Sequence, residues 1–294
     1  MGTGVFAVKP IDILLALCVP ILWGLGFTLA KVAFVYVDFP PILLMAFRFT
    51  VTALALVWFV RPPWGLMHRI FWISVISATI QYSLTFTGLD GIDASLAVIV
   101  VQLEAPFLAL FAVVFLREHL GWRRAIGMAM AFAGVMLIAG QPDVQGELLS
   151  VLLVAGGACV WAGGQIMIKG LGGKVSGFTL IAWVAVFAAP QLFLSSWLFE
   201  DGQWQAIQNA GWIGWGVVIY MGLIMTALGY AIWYRLLGLY NVNQVMPFLL
   251  LLPVMSIAGS MLLLGERLSQ MEVLGSIVVI AGVAIITTYK ERCA

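Results

Sequence analysis

Two ionisable side chains stand in the middle of apolar stretches. Glu104 lies in Gln102-Leu103-Glu104-Ala105-Pro106, and Arg48 is well inside a run that starts at Pro41. In lipid, a charge at a helix centre costs about 2.5–3.5 kcal/mol on insertion scales. Each group must face a wet cavity, meet a counter-charge or be neutral. Glu104 therefore reads as a carboxylate that handles a proton or a substrate ammonium, or as one half of a buried pair. Arg48 reads as a cavity-facing cation or, more plainly, as the structural partner of Glu104.

Other polar and aromatic groups occur at similar depth. Gln81 and Thr85 are four residues apart and share a helix face. Tyr82, beside them, offers a hydroxyl to a carboxylate or a ring face to an aromatic substrate. Trp23 and Trp161 lie far from the interfacial belts where most membrane tryptophans sit. Gln165 follows Trp161 on the same face, and Asn243 with Gln244 opens a later apolar run. These residues are candidates for substrate contact. The plainer reading is interhelical hydrogen bonding, worth about 0.6 kcal/mol each on average, and ring packing. Pro20, Pro106, Pro247 and Pro253 fall inside apolar runs. Each frees a backbone carbonyl and can bend a helix, so each is a candidate hinge.

The remaining chemistry is sparse. Cys18, Cys159 and Cys293 have no CxxC spacing, and His68 and His119 lie at the edges of apolar runs. No metal site, disulfide framework or cofactor is expected. There is no Gly-x-x-x-x-Gly-Lys-Ser/Thr loop, no Gly-x-Ser-x-Gly and no His-Glu-x-x-His. ATP hydrolysis and intramembrane hydrolytic catalysis are disfavoured.

The elements that must position these groups follow from composition. Of 294 residues, 63% are hydrophobic and 9% charged, against about 25% charged in an average soluble domain. A water-facing surface cannot be built from so few charges, which excludes an ordinary soluble enzyme and a nucleic-acid binder. A bilayer core needs about 20 apolar residues of helix. Ten such windows occur, near 11–30, 41–60, 70–89, 94–115, 122–139, 148–168, 178–198, 212–234, 242–264 and 273–288. The expected fold is an all-α polytopic membrane protein of ten transmembrane helices. The first run, with Asp12 inside it and no small-residue cleavage site, reads as a retained helix.

Lys/Arg bias sets orientation. With the N-terminus inside, the inner segments hold Lys9, Arg61, Arg69, Arg117, Arg123, Arg124, Lys169, Lys174, Arg235, Lys290 and Arg292, while the outer loops hold Lys31 and Arg267. Both termini are then cytoplasmic.

The chain also repeats itself. An offset of 148 superposes Glu118 on Glu266, Leu120 on Leu268, Gly127 on Gly275 and Gly134 on Gly282. Trp23 stands eight residues before Lys31, as Trp161 does before Lys169. Five helices per repeat is an odd number, so the second half must enter from the opposite side. The units are 1–140 and 141–294, two inverted five-helix repeats. Such repeats place a substrate site near the midplane, at their interface.

Ten helices in an inverted repeat, Trp23-Gly24 near the start, and Glu-x-Leu at Glu118 and Glu266 resemble the drug/metabolite transporter superfamily, in particular its EamA-type members. Length and aromatic-rich helices are similar to the bacterial aromatic amino acid exporters. The resemblance implies a ten-helix basket with a central cavity, no cofactor and export of a small molecule. The expected function is a secondary transporter, acting by alternating access, for amino acids (aromatic ones on the resemblance) or related metabolites. Exporters of amphipathic drugs or amines, and channel-like facilitators, are the alternatives. The expected partners are the small-molecule substrate and the bilayer, with no nucleic acid, and the chain is expected to be a monomer. One departure from symmetry stands out. Glu104 maps onto the stretch Leu250–Leu252, so the second half has no matching acid.

Overall fold

The computed structural model describes residues 9–117, 121–140, 147–240 and 246–288. Glu118, His119, Asn243, Gln244 and Cys293 lie outside them.

The described chain is helical, with nine helices long and apolar enough to cross a membrane and a shorter apolar one at Phe248–Leu263. In chain order, α1 is Pro10–Val37 and α2 is Pro41–Leu56. Helix α3 runs through Met67–Ser74, a π-helical stretch Val75–Ile80, and Gln81–Asp90. Helix α4 has two pieces, Ala94–Val101 and Glu104–Leu116. Trp122–Ala139 is α5, Leu148–Lys169 is α6 and Gly177–Phe199 is α7. Helix α8 runs through Gly211–Ile219, a second π-helical stretch Tyr220–Leu228, and Gly229–Leu239. Helix α9 opens as a 3-10 turn, Met246–Leu251, and continues as Leu252–Leu263, and α10 is Gln270–Thr288.

The helix starts have local causes. Pro10 and Pro41 occupy first-turn positions of α1 and α2, where a missing N–H costs nothing. The Ser176 hydroxyl caps α7 by accepting from the Thr179 N–H at 3.1 Å. The break in α4 follows from Pro106. A proline in a helix cannot bond the carbonyl four residues earlier and clashes with it. That carbonyl belongs to Gln102, and the chain tightens there into three-residue bonds, with the Gln102 N–H on the Ile99 carbonyl and the Leu103 N–H on Val100. Pro253 stands in the same relation to Leu249, inside the 3-10 opening of α9. Pro20, by contrast, is buried in an uninterrupted α1.

The two halves meet across α5 and α10. A Cβ on Gly127 would lie 2.7 Å from the Gly282 carbonyl oxygen, and one on Gly134 would lie 2.8 Å from that of Gly275. Gly127 corresponds to Gly275 and Gly134 to Gly282. The contact is thus reciprocal, with Gly127 touching the counterpart of Gly134 and Gly134 touching the counterpart of Gly127, as a two-fold interface requires. The other pairings obey the same rule. α1 packs on α8 and α9, α6 packs on α3 and α4, and α2 packs on α7. The π-helical stretches of α3 and α8 are counterparts too.

Among the described residues, the two ends of the bundle are tied differently. At the end with most acidic residues, the Glu266 carboxylate sits on the N-terminus of α4. It accepts from the N–H groups of Ala94 (2.8 Å) and Ser95 (3.1 Å) and from the Ser95 hydroxyl (2.6 Å). Glu200 does the same for α2, accepting from Ile42 (2.6 Å), Leu43 (3.0 Å) and the Ser196 hydroxyl (2.7 Å). Carboxylates satisfy orphan N–H groups there and complement the helix dipole. Both clasps join the second half to the first. Lys31 closes the end of α3, donating to the carbonyls of Leu89 (3.2 Å) and Asp90 (2.6 Å). Burial raises the Glu200 pKa above the ordinary value against the lowering pull of the Ile42, Ser196 and Leu43 donors. Asp93 is also raised, by burial and then by neighbouring Glu266. At the basic end, the tie is Asp12 of α1. It accepts from the Tyr240 hydroxyl at 2.6 Å and pairs with exposed Arg235 at 3.7 Å.

Candidate functional site

A cavity of about 680 Å³ lies between the halves. It is lined by the breaks in α4 and α9 and by faces of α1, α2, α3, α6, α8 and α10. It reaches the exposed Lys169 at the basic end, where Leu116, Arg124 and Thr287 also line it. None of the clasp residues Glu200, Glu266, Ala94 or Ser95 is among its walls. Its surface is mostly apolar and aromatic, with a few polar groups set into it, as in most small-molecule sites.

Trp23, Gln81, Tyr82, Glu104, Trp161, Gln165 and Arg48 all line this one cavity. Asn243 lies outside the described residues, as does Glu118. Pro106 and Pro253 stand at the two breaks beside it. Pro247 falls in the 3-10 opening of α9, and Pro20 belongs to the continuous α1.

Glu104 begins the second piece of α4. It therefore sits at the positive end of a helix dipole created in mid-span by the Pro106 break, which offsets part of the cost of a carboxylate there. It is half-buried and makes no hydrogen bond or ion pair with the described residues.

The expected Arg48–Glu104 pair is absent among the described contacts. Arg48 is only 1% exposed. Its Nε donates to the Thr226 hydroxyl at 3.1 Å, one terminal nitrogen donates to the Tyr82 hydroxyl at 3.3 Å, and the other reaches the Met45 sulfur at 3.7 Å. The guanidinium also lies 4.6 Å from the Tyr82 ring centre and 5.4 Å from that of Phe49. The cause is local: the π-helical stretch of α8 turns Thr226 toward α2 and holds it by a bond to the Met221 carbonyl, five residues back. The same stretch leaves the Met225 carbonyl to accept from the Trp23 indole N–H at 3.0 Å. π-helical segments recur at functional sites for this reason.

Trp23 also packs on Tyr230 (4.9 Å between ring centres) and Trp233 (6.1 Å). Tyr82 stacks on Phe86 at 5.7 Å, and Phe86 on Phe27 at the same distance. Gln81 is buried. Its amide donates to Thr85 at 3.2 Å, and its carbonyl oxygen has no partner. Sequence reasoning missed Thr226, Tyr230, Phe27 and Phe86. Only the register of Thr226 with Thr79 in the first π-helical stretch could have marked one of them. Among the described residues no group of His, Cys, Asp or Glu could hold a metal ion.

Comparison with known proteins agrees with this architecture. The EamA-like transporter family matches twice, over residues 10–140 and 148–288, one match per repeat. A probable amino-acid metabolite efflux pump of Salmonella typhimurium is 31% identical over 284 residues, covering 93% of this chain and 94% of the relative. Its namesake in Escherichia coli is 29% identical over the same shares. An uncharacterized transporter of Bacillus subtilis, YvbV, is 26% identical over 92% of this chain and 90% of its own. A crystal structure at 19% identity superposes with a TM-score of 0.64, over 97% of this chain and 99% of that one, which speaks to the fold alone. A multi-pass helical membrane protein whose two halves each match the family on their own is a transporter rather than an enzyme, and this chain belongs to the EamA-like transporter family.

Proposed function

We propose that the protein exports amino acids and related metabolites from the cytoplasm by alternating access. The observation that carries this reading is the central cavity, which reaches solvent at the basic end and is backed by clasps at the other end. The positive-inside bias puts the basic end in the cytoplasm, together with both termini, in the inner membrane. The cavity is then loaded from inside. The two units, 1–140 and 141–294, rock about the α5–α10 seam, and the Pro106 and Pro253 breaks are where α4 and α9 bend. Pro20 and Pro247 are secondary hinge candidates.

The substrate walls are Trp23, Tyr82 and Trp161, with Gln81 and Gln165 as hydrogen-bonding groups and Asn243 as a further candidate. Stacked rings suit an aromatic side chain, which supports aromatic amino acids as preferred cargo. The efflux pumps of Salmonella and Escherichia support the amino-acid class. Glu104 meets the substrate ammonium or a coupling proton. The protein works as a monomer.

Reconstituted protein should show counterflow of labelled phenylalanine or tryptophan, accelerated by unlabelled amino acid on the opposite side. Glu104→Gln should slow it at least tenfold and flatten its pH dependence. Flux without trans-stimulation would identify a channel-like facilitator. Uptake of cationic drugs with no amino acid carried would identify a drug exporter.

A further inference from the structure

Arg48 is a fully buried cation with no carboxylate among its described partners. Buried charges are otherwise paired, because an unpaired one forfeits its hydration for nothing. The equivalent contact in the first half is made without a charge. Each π-helical stretch presents a threonine to the helix packed on it. In the first half this is Thr79, whose hydroxyl donates to Gln191 of α7 at 2.6 Å. In the second half it is Thr226, which accepts from Arg48 of α2. The pairs are counterparts, and a neutral amide suffices in one of them. The contact to the threonine alone therefore does not account for the cation in the other.

The charge is directed through Tyr82. The Tyr82 oxygen accepts from Arg48, so its own O–H proton is free to donate. No acceptor for that proton occurs among the described residues, and Tyr82 lines the cavity. A hydroxyl that accepts from a cation is a stronger donor to an anion, since bonds in a chain polarise one another. Arg48 also presents five N–H groups, of which three are engaged.

We infer that Tyr82 and Arg48 together form the carboxylate subsite of the cavity, with the Tyr82 hydroxyl touching the substrate and Arg48 positioned behind it to supply the charge. Gln81, whose buried carbonyl oxygen is unpartnered in the same cavity wall, is the neutral acceptor for an ammonium group on the same ligand. The class selected is the small α-amino carboxylate; the corresponding amide or decarboxylated amine binds more weakly. This rests on the reading of the cavity as the transport site.

The test is binding to purified protein in detergent, followed by ligand-induced thermal shift. The probes are phenylalanine, leucine, their carboxamides, 3-phenylpropionate and 2-phenylethylamine. The wild type should bind the acids at least tenfold more tightly than the amides or the amine. Arg48→Gln copies the neutral side chain of the other π-helical contact. It should weaken the acids to the level of the amides and so remove that preference. Tyr82→Phe should weaken acids and amides alike, because both lose the hydroxyl that touches them, and unchanged binding in that variant also overturns the assignment. Equal binding of acids and amides by the wild type, retention of the preference in Arg48→Gln, or no binding of any carboxylate overturns the assignment. Acid preference without amino acid export from proteoliposomes would sink the proposed function and leave the subsite standing. Export of amino acids and their amides at equal rates would do the reverse.

Discussion

At the acidic end of the bundle, two glutamates of the second half each hold a helix N-terminus of the first half, Glu266 with three short bonds and Glu200 with two, plus a third from Ser196 of its own half. At the basic end, the tie among the described residues is Asp12, shared between the Tyr240 hydroxyl and a long contact to exposed Arg235. The cavity reaches solvent at this second end. Both ends use carboxylates, and the difference lies in what the carboxylates meet. A helix N-terminus supplies several orphan N–H groups and a dipole at once, so one side chain fixes a whole helix. A phenol and a surface arginine supply neither. Among the described residues, the acidic end is thus held through helix ends and the basic end through a phenol and an ion pair.

The largest effect is expected from removing both clasps. Bonds to charged groups contribute about 1.5–3 kcal/mol each, and partial exposure puts these at the lower end. Glu200→Ala with Glu266→Ala should shift the population toward an open acidic end by roughly a hundredfold, taking about 1.4 kcal/mol per tenfold for each clasp. Spin labels at the exposed positions Tyr36 and Arg267 would read this as a lengthened distance. Asp12→Asn, at the other end, should leave that distance unchanged. If the double variant keeps the wild-type distance, the clasps do not set the access state.

A second, intermediate effect separates what moves from what does not. The α5–α10 seam touches near both ends through equivalent glycine contacts. Overpacking costs about 1–3 kcal/mol, so Gly127→Ala and Gly134→Ala should lower the melting temperature by similar amounts. Exposed Gly216 in α8 has nothing within 4 Å of where a methyl group would sit, and Gly216→Ala should raise it slightly through helix propensity. Unequal losses at the two seam positions would mean that the seam is not a symmetric frame.

The smallest effect concerns pH. Glu200 and Asp93 have raised pKa values in the closed acidic end, and an opened end returns them to water and to ordinary values. The closed form then binds protons more tightly than the open one. Its advantage is complete below the ordinary carboxylate range and is lost as pH rises through the raised values. The distance between labels at Tyr36 and Arg267 should be longer at pH 8 than at pH 5. Shortening over the same interval would reverse the assigned sign.

The helix count and the inverted repeat were legible because apolar run length and Lys/Arg bias are one-dimensional signals. The break at Glu104 was legible through Pro106, whose effect on the carbonyl four residues earlier is local. The π-helical stretches were not, since Val75–Ile80 and Tyr220–Leu228 read as unbroken apolar helix. Missing them hid Thr226 and led Arg48 to be matched with Glu104 by charge alone. Glu266 was visible as a repeat marker, but its role depends on the N-terminus of α4 being brought to it, which no spacing within the loop records.

The reciprocal crossing of α5 and α10 bears on whether the chain needs to be one piece. Each half carries a whole self-complementary strip, and the second half reads it upside down. A cut in the link between α5 and α6 would leave two fragments that already own the matching α5 and α10 surfaces. Co-expressed halves should therefore reassemble, and the connecting peptide serves stoichiometry more than assembly.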